Sequence, residues 1–434
     1  MKVKNKNVLV YGLSVSGEWA VKLLNKLGAN VYVYDDNKEV YKNKNLTNCF
    51  LIQTFDENTA KGLDFVVVSP SIENDNPILK LIEKQNIKIF SEIEFASLYC
   101  KNILAVTGTN GKTTTVELIT AILNAKYNAV ACGNIGYPLS RAVMENKHAI
   151  KVVEVSSFML EHAQEFHPHI ATVLNVEPDH LIRHKTYEEY FKLKRSIFSN
   201  LTSTDYAVVN LDKNIHPNKN VMTITYSQTH SADVYLKNGY IYLHQRQLLP
   251  INKLKLKGKH NMQNVMCAIC FANIMKVPDE DIVKTLLTFT PDEFRCQQVA
   301  SINGITFVND SKSTNIASTL ACVEAIRGAV VLLVGGSFKG LDYGEMFKKL
   351  PHKVKNVVAF GEIANALVEA NNNNFPITAC SNMAEAFDCA VSIAQRGDSV
   401  VLSPGSASYD EFKNYKERGK AFNLKVQEYE RCKK

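Results

Sequence analysis

The apolar run Ile103 to Thr107 leads directly into Gly108-Thr109-Asn110-Gly111-Lys112-Thr113-Thr114, and helical periodicity begins near Lys112. A strand, a glycine-rich turn and a helix in that order restrict this stretch to an α/β arrangement, with the turn at the carboxyl edge of a parallel sheet. Its glycines let backbone N–H groups wrap phosphate oxygens, and the helix N-terminus adds positive potential. Lys112 suits the β- and γ-phosphates, and the Thr113 hydroxyl suits Mg²⁺. The loop departs from the standard pattern G-x-x-x-x-G-K-[ST], because position 106 is Val rather than Gly.

The same alternation extends along the 434 residues, and at roughly 150 residues per domain the length predicts about three domains. Residues 1–91 alternate strands (Val8 to Tyr11, Val31 to Tyr34, Phe65 to Ser69, Ile87 to Phe90) with helices near Gly17 to Leu27 and Pro77 to Gln85. Residues 92–290 open with a linking helix and contain the glycine-rich loop. They also hold strands Lys151 to Ser156, Ala171 to Val176 and Tyr206 to Asn210, and an Asn238-Gly239 hairpin. The alternating Lys253 to Lys257 reads as a strand with one wet face. Residues 291–434 add a second Asn-Gly turn at Asn303-Gly304 and a return to parallel α/β order, with Asn371 to Asn374 a surface loop. The predicted fold is therefore α/β in three domains: a Rossmann-like first, a mixed-sheet phosphate-loop ATPase second and a Rossmann-like third.

A net charge of +7, spread along the chain, suits polyanionic small molecules and gives no nucleic-acid footprint. No apolar run approaches the roughly 20 residues of a membrane helix, and the lysine-rich start lacks a signal-peptide core, so a cytoplasmic protein is expected. Ten cysteines at irregular spacings, with a single CxxC at Cys267 to Cys270, read as reduced and mostly buried thiols.

Further candidates sit at strand ends. Gly12-Leu13-Ser14-Val15-Ser16-Gly17 is a G-x-G-x-x-G variant with Ser14 for the middle glycine, and Asp35 ends the next strand. The reading stays open between a structural turn and a site for a nucleotide such as a UDP-sugar; Ser14 counts against a dinucleotide. Glu154 ends a buried strand where a carboxylate meets the Mg²⁺ of a phosphate loop. His180 follows Glu177-Pro178-Asp179 as a metal or substrate contact, whereas His162, His167, His169 and His184 read as surface or core residues.

Together the loop, Glu154-Val155-Ser156-Ser157-Phe158, Asn175 to His180 and Gly258-Lys259-His260-Asn261 resemble the ATP-dependent Mur ligases of peptidoglycan synthesis, over essentially the whole chain. In the third domain, Asn309 to Asn315, Gly335-Gly336 with Lys339, and Leu402 to Pro404 with Ala407-Ser408, Asp410, Phe412 and Arg418-Gly419 resemble members that add D-glutamate to UDP-N-acetylmuramoyl-L-alanine. The resemblance implies ATP at Gly108, Thr109, Asn110, Gly111, Lys112, Thr113, Thr114, Asn261, Arg295 and Asp310. It implies the UDP part at Ser14, Val15, Ser16 and Asp35, the muramoyl part at Asn134, a further substrate contact at His180, and D-glutamate at Thr314, Lys339, Ser408 and Tyr415. Two Mg²⁺ sites would use Thr113, Glu154, His180 and a carbamylated Lys194, with Lys192 as the rival lysine. Lys112, Glu154, His180 and Lys194 would be the catalytic set of a monomeric cytoplasmic enzyme.

The chain departs from the family at Ser71, where Gly is usual, at Ile182, where Asp is common, and at Tyr415, where Phe is usual. Three rival readings remain: a Mur ligase with another amino-acid specificity, a non-catalytic nucleotide or UDP-sugar sensor, and a dinucleotide-dependent oxidoreductase. The last leaves the loop and Glu154 unexplained.

Overall fold

The computed structural model describes residues 1–43, 46–217, 220–256, 258–290, 293–338 and 341–433, and the chain forms two compact units. The first comprises Met1–Val176, Thr186–Lys255 and Gln263–Phe289; the second comprises Glu177–Lys185, Leu256–Met262 and Thr290–Lys434.

The first unit holds two sheets. Strands β1 (Asn7–Tyr11), β2 (Asn30–Tyr34), β3 (Phe50–Leu51), β4 (Phe65–Val68) and β5 (Lys88–Ser91) form an all-parallel sheet in the order β3-β2-β1-β4-β5. β1 and β4 are apolar on both faces, the signature of central strands covered on both sides. Val8 and Val10 pack with Ala20, Val21 and Leu24 of the helix Val15–Lys26, while Leu9 and Tyr11 pack with Leu79 and Ile82 of the helix Pro77–Lys84. Each of the valine, leucine and isoleucine side chains among them, fully buried, contributes roughly 1.5–3 kcal/mol.

The second sheet has nine strands: β6 (Ile103–Thr107), β7 (Ala129–Gly133), β8 (Ile150–Glu154), β9 (Ile170–Val173), β10 (Tyr206–Asn210), β11 (Met222–Ser227), β12 (Val234–Lys237), β13 (Tyr240–Leu243) and β14 (Arg246–Pro250). Their order is β14-β13-β12-β11-β10-β9-β6-β8-β7, parallel from β7 to β12 and antiparallel beyond. The β12–β13 hairpin turns on Asn238 and Gly239, both with left-handed φ (50° and 77°), as a two-residue turn between right-twisted strands requires. Cys267 and Cys270 lie fully buried in the helix Lys259–Ile274; burial pushes the Cys267 thiol up to about 12 and the Cys270 thiol well above its usual range. All ten cysteines are free, but only four are buried, with five half-buried and Cys432 exposed, so the expectation of mostly buried thiols does not hold.

The second unit is built on β15 (Gln297–Ile302), β16 (Ile305–Asn309), β17 (Val330–Gly335), β18 (Val354–Phe360), β19 (Ile377–Cys380) and β20 (Ser399–Gly405), in the order β15-β16-β20-β17-β18-β19. β15 and β16 form the antiparallel hairpin at Asn303-Gly304, and the other pairs are parallel. Helices Ile316–Ala325, Tyr343–Lys349 and Ala364–Asn371 cover one face, and Met383–Ile393 with Tyr415–Lys433 the other.

Three local expectations change. Ile251–Lys253 is a short 3-10 helix and the described residues up to Leu256 form no strand, although Leu254 and Leu256 do point inward. Alternation reports which side chains are buried, and here no neighbouring strand supplies a ladder. β9 stops at Val173, three residues short of the predicted end, and beyond it Asn175 hydrogen-bonds the glycine-rich loop. Asn371 is no mere surface residue: it is buried, and its side chain both donates to Phe375 O and accepts from Phe375 N, closing the helix C-terminus.

Candidate active site

The glycine-rich loop leaves β6 at Thr107 and meets the helix Lys112–Leu123 at Gly111, whose φ of 83° is left-handed. A Cβ at Gly111 would collide with the Asn264 side chain, so both conformation and space require glycine there. Asn175, just past β9, clamps the loop. Its carbonyl accepts from Thr109 N at 3.0 Å, its Oδ1 accepts from Asn110 N at 2.9 Å, and its Nδ2 donates to Asn110 O at 3.1 Å. Thr109 Oγ1 also lies 3.2 Å from the Tyr190 hydroxyl.

Two lysines converge on this loop. Lys112 Nζ donates to Gly108 O at 2.8 Å and Thr109 O at 2.9 Å. Lys194, on the helix Tyr187–Arg195, is 1% exposed and donates to the same Gly108 O at 2.9 Å, with its Nζ 4.7 Å from the Tyr190 ring centre. Glu154 ends β8, the strand beside β6, and is 3% exposed. Its Oε1 accepts from Asn134 Nδ2 at 3.0 Å, while Oε2 is buried without a hydrogen-bond partner. An orphaned carboxylate oxygen is costly unless a cation or donor meets it. Among the described residues no cluster of three or more His, Cys, Asp or Glu could hold a metal ion. The buried, unpartnered oxygen of Glu154 is a single carboxylate position that a cation or a donor could meet.

At the edge of the first sheet, the loop after β1 carries a relay of serine hydroxyls. Ser16 lies 2.9 Å from Ser14, Ser14 lies 2.7 Å from Ser69, and Ser69 lies 3.2 Å from Ser71. Ser71 has no left-handed φ, so the serine replaces the usual glycine without strain. Val15 is exposed at the start of its helix. Asp35 accepts from Leu13 N at 2.6 Å and Asn37 N at 2.9 Å, which fixes the turn. Sequence reasoning missed the neighbours of Asp35: Lys38 Nζ sits 3.5 Å from the Tyr34 ring centre, and Tyr11 donates to Asp36 at 2.7 Å.

In the second unit His180 has a left-handed φ of 55°, and its N–H is held by Asp179 Oδ1 at 2.9 Å. Asp179, itself buried, accepts from Asn315 Nδ2 at 3.1 Å. Ile182 is exposed and gives His180 no polar partner. Asn261 is buried near the start of its helix, three residues before Asn264. Arg295 has a buried Nε without a hydrogen-bond partner, which suits an anion. Burial pushes the Asp310 carboxyl up, countered by Ser313 Oγ at 2.5 Å, Ser403 Oγ at 2.7 Å, Cys296 N at 2.9 Å and the charge of Arg295.

Arg418 ties the remaining loops together. It is fully buried and donates to Ser311 Oγ, Ser311 O, Ser406 O and Ala407 O at 2.9–3.1 Å. Burial lowers its pKa to about 10, against the opposing charges of Asp410, Glu411 and Asp310. Ser408 is buried just beyond these carbonyls, Thr314 is half-buried three residues after Ser311, and Tyr415 O accepts from Ser311 Oγ at 2.8 Å. Lys339 lies outside the described residues.

Residues 106–272 match the Mur ligase middle domain, and residues 294–405 match the Mur ligase glutamate ligase domain. A UDP-N-acetylmuramoylalanine–D-glutamate ligase from Caldanaerobacter subterraneus is 36% identical over 99% of this chain and 100% of its own. The chain belongs to the Mur ligase family.

A ligase of the same name from Thermoanaerobacter pseudethanolicus is 37% identical, again over 99% of this chain and 100% of its own. Among solved structures, a pseudomurein peptide ligase type C from Methanothermus fervidus shares the fold at a TM-score of 0.63 and 17% identity, covering 98% and 100% of the two chains. MurF ligase from Thermotoga maritima, in complex with ADP, aligns at 0.62 and 14%, covering 99% and 96%. At such identities these two report the Mur ligase architecture alone. Within it, the loop, Asn134, Glu154 and Lys194 of this chain stand together in the first unit, while His180, Arg295, Asp310 and the loops around Arg418 belong to the second.

Proposed function

We propose that this Mur ligase joins D-glutamate to UDP-N-acetylmuramoyl-L-alanine with conversion of ATP to ADP and phosphate, in the cytoplasm and as a monomer. The observation that carries the ATP-dependent step is the convergence of Lys112, Lys194 and the orphaned Glu154 oxygen on the glycine-rich loop and its neighbouring strand. The choice of D-glutamate rests on the names of the full-length relatives. The three sheets are read as three domains, 1–91 for the UDP part, 92–290 for ATP and 291–434 for the amino acid.

The alanine carboxylate attacks the γ-phosphorus of ATP, the bond to the β,γ-bridging oxygen breaks, and an acyl phosphate and ADP result. The glutamate amine then adds to the acyl carbon, loses a proton, and phosphate leaves as the amide forms. The loop N–H groups and Lys112 hold the phosphates in line, so positioning and charge stabilisation supply most of the acceleration. Glu154, Thr113 and a carbamylated Lys194 would hold Mg²⁺ in two sites, which supplies neutralisation of the phosphate charge. His180 remains a metal candidate on resemblance alone. Carbamylation needs a neutral amine, which burial of Lys194 favours. Asp310, with its oxygens taken by Ser313, Ser403 and Cys296, orders the turn that presents Arg295.

Hydroxylamine trapping tests the order of steps. With ATP, Mg²⁺ and UDP-N-acetylmuramoyl-L-alanine but no amino acid, the hydroxamate of the alanine carboxyl should accumulate. ATP turnover without it would refute the acyl phosphate.

A further inference from the structure

Two cysteines of the second unit lie with their sulfurs in contact, and the ligase reaction uses neither. Cys322, on the helix Ile316–Ala325, is buried and donates its thiol hydrogen to Cys296 Sγ at 3.2 Å. Cys296 is half-buried, directly follows Arg295 and has a left-handed φ of 44°. Its N–H is fixed by Asp310 Oδ1 at 2.9 Å. The pair in the one CxxC is arranged differently, since Cys267 faces Thr172 Oγ1 and Cys270 faces Thr225 O in the core.

We propose that Cys296 and Cys322 form a modification site for low-molecular-weight disulfides, which convert the pair into an intramolecular cross-link. Its greater exposure and the hydrogen bond received from Cys322 make Cys296 the attacking sulfur. The hydrogen bond with Cys296, then burial and the charge of Asp310, raise the Cys322 thiol and keep it protonated as the donor until the second step. Cys296 attacks one sulfur of the disulfide RSSR, forming a mixed disulfide and releasing one thiolate, which takes up the proton Cys296 lost. Cys322 then loses its proton and attacks Cys296 Sγ, expelling the second thiolate. The protein gives up two electrons and two protons, and RSSR becomes two RSH.

A sulfur–sulfur bond of about 2 Å draws the Cys296 turn onto the helix, against the hold of Asp310. On the reading that Arg295 contacts ATP, which this one consequence requires, the cross-linked protein binds ATP less well.

The full chain would be equilibrated with glutathione and glutathione disulfide at graded ratios, quenched by alkylation and mapped by peptide mass spectrometry. The expected result is a Cys296–Cys322 cross-link that vanishes in Cys296→Ser, with glutathionylated Cys296 accumulating in Cys322→Ala. Alkylation of both residues at every ratio while the exposed Cys432 takes up glutathione would overturn the proposal, as would a cross-link found only between other cysteines. A raised KM for ATP in the cross-linked protein, reversed by dithiothreitol and absent in Cys296→Ser, supports the link to Arg295. An unchanged KM in a protein shown to be cross-linked removes that link and leaves the modification site standing.

Discussion

Lys112 and Lys194 donate to one acceptor, the carbonyl oxygen of Gly108, at 2.8 and 2.9 Å. Two ammonium groups brought to a single neutral oxygen repel each other, and burial adds to the cost of charge on Lys194. Phosphate oxygens at the loop would neutralise one of these cations, and carbamylation would turn the other lysine into an anion. Lys112→Met should lower kcat/KM by about 10²- to 10³-fold, the usual effect of removing one charge-stabilising group. Lys194→Arg, which keeps a cation but cannot form the carbamate, should lose turnover to a similar degree while staying folded. Protein supplied with isotopically labelled bicarbonate should show a carbamate signal by NMR that Lys194→Arg lacks; wild-type-like turnover in that variant would contradict the role.

Gly111→Ala should destabilise the first unit by about 1–3 kcal/mol, because a residue with a Cβ is strained at a φ of 83° and the added carbon meets Asn264. Adding Asn264→Ala should relieve the collision and leave the backbone strain. Urea denaturation of the single and double variants separates the two, and equal stability of all three proteins would be inconsistent with the loop geometry.

Strand, loop and helix around Gly108 were legible in the sequence because a parallel strand buried on both faces is a short apolar run, and glycines mark the turn. Both Asn-Gly hairpins were legible for a similar reason, since few residues adopt two successive left-handed conformations. β3, two exposed residues at a sheet edge, carries no pattern to read. Asn175 stands in the sequence only as the first residue of a motif, and its clamp is not legible there, because an asparagine after a strand is ordinary until its loop partner is known. Arg418 was noted only within a motif, since a fully buried arginine runs against the rule that charge stays outside, and only three converging carbonyls justify it. Gly419 beside it is explained by Phe294, whose ring occupies the space a Cβ would need.

Arg418→Met should cost about 3 kcal/mol or more. It leaves the carbonyls of Ser311 and Ser406 without the donor that joins them, whereas Ala407 O keeps Ser337 N, and each buried unsatisfied group costs about 1–3 kcal/mol. The variant should also raise KM for the amino acid more than KM for ATP, because Ser408 and Thr314 lose their support. An unchanged denaturation midpoint would refute the packing argument.

Burial, and then the charge of Arg295, lower the His260 pKa from 6.5 to about 4. The unfolded chain takes up this proton near 6.5 and the folded chain only near 4, so between those values the unfolded state binds more protons and stability falls as pH drops. The contribution is complete above about 6.5 and gone below about 4, and amounts to at most about 3 kcal/mol. Unfolding free energies measured from pH 7.5 to 4 should show this loss in the wild type and a flatter profile in His260→Gln. Parallel profiles would contradict a neutral, half-buried His260.

The most direct test of the central claim is phosphate release from ATP with Mg²⁺ and UDP-N-acetylmuramoyl-L-alanine, with D-glutamate, L-glutamate, L-alanine, L-lysine or diaminopimelate supplied one at a time. Release that requires both the UDP substrate and D-glutamate is the predicted result. Equal release with another amino acid, or none from protein shown to be folded, would contradict it.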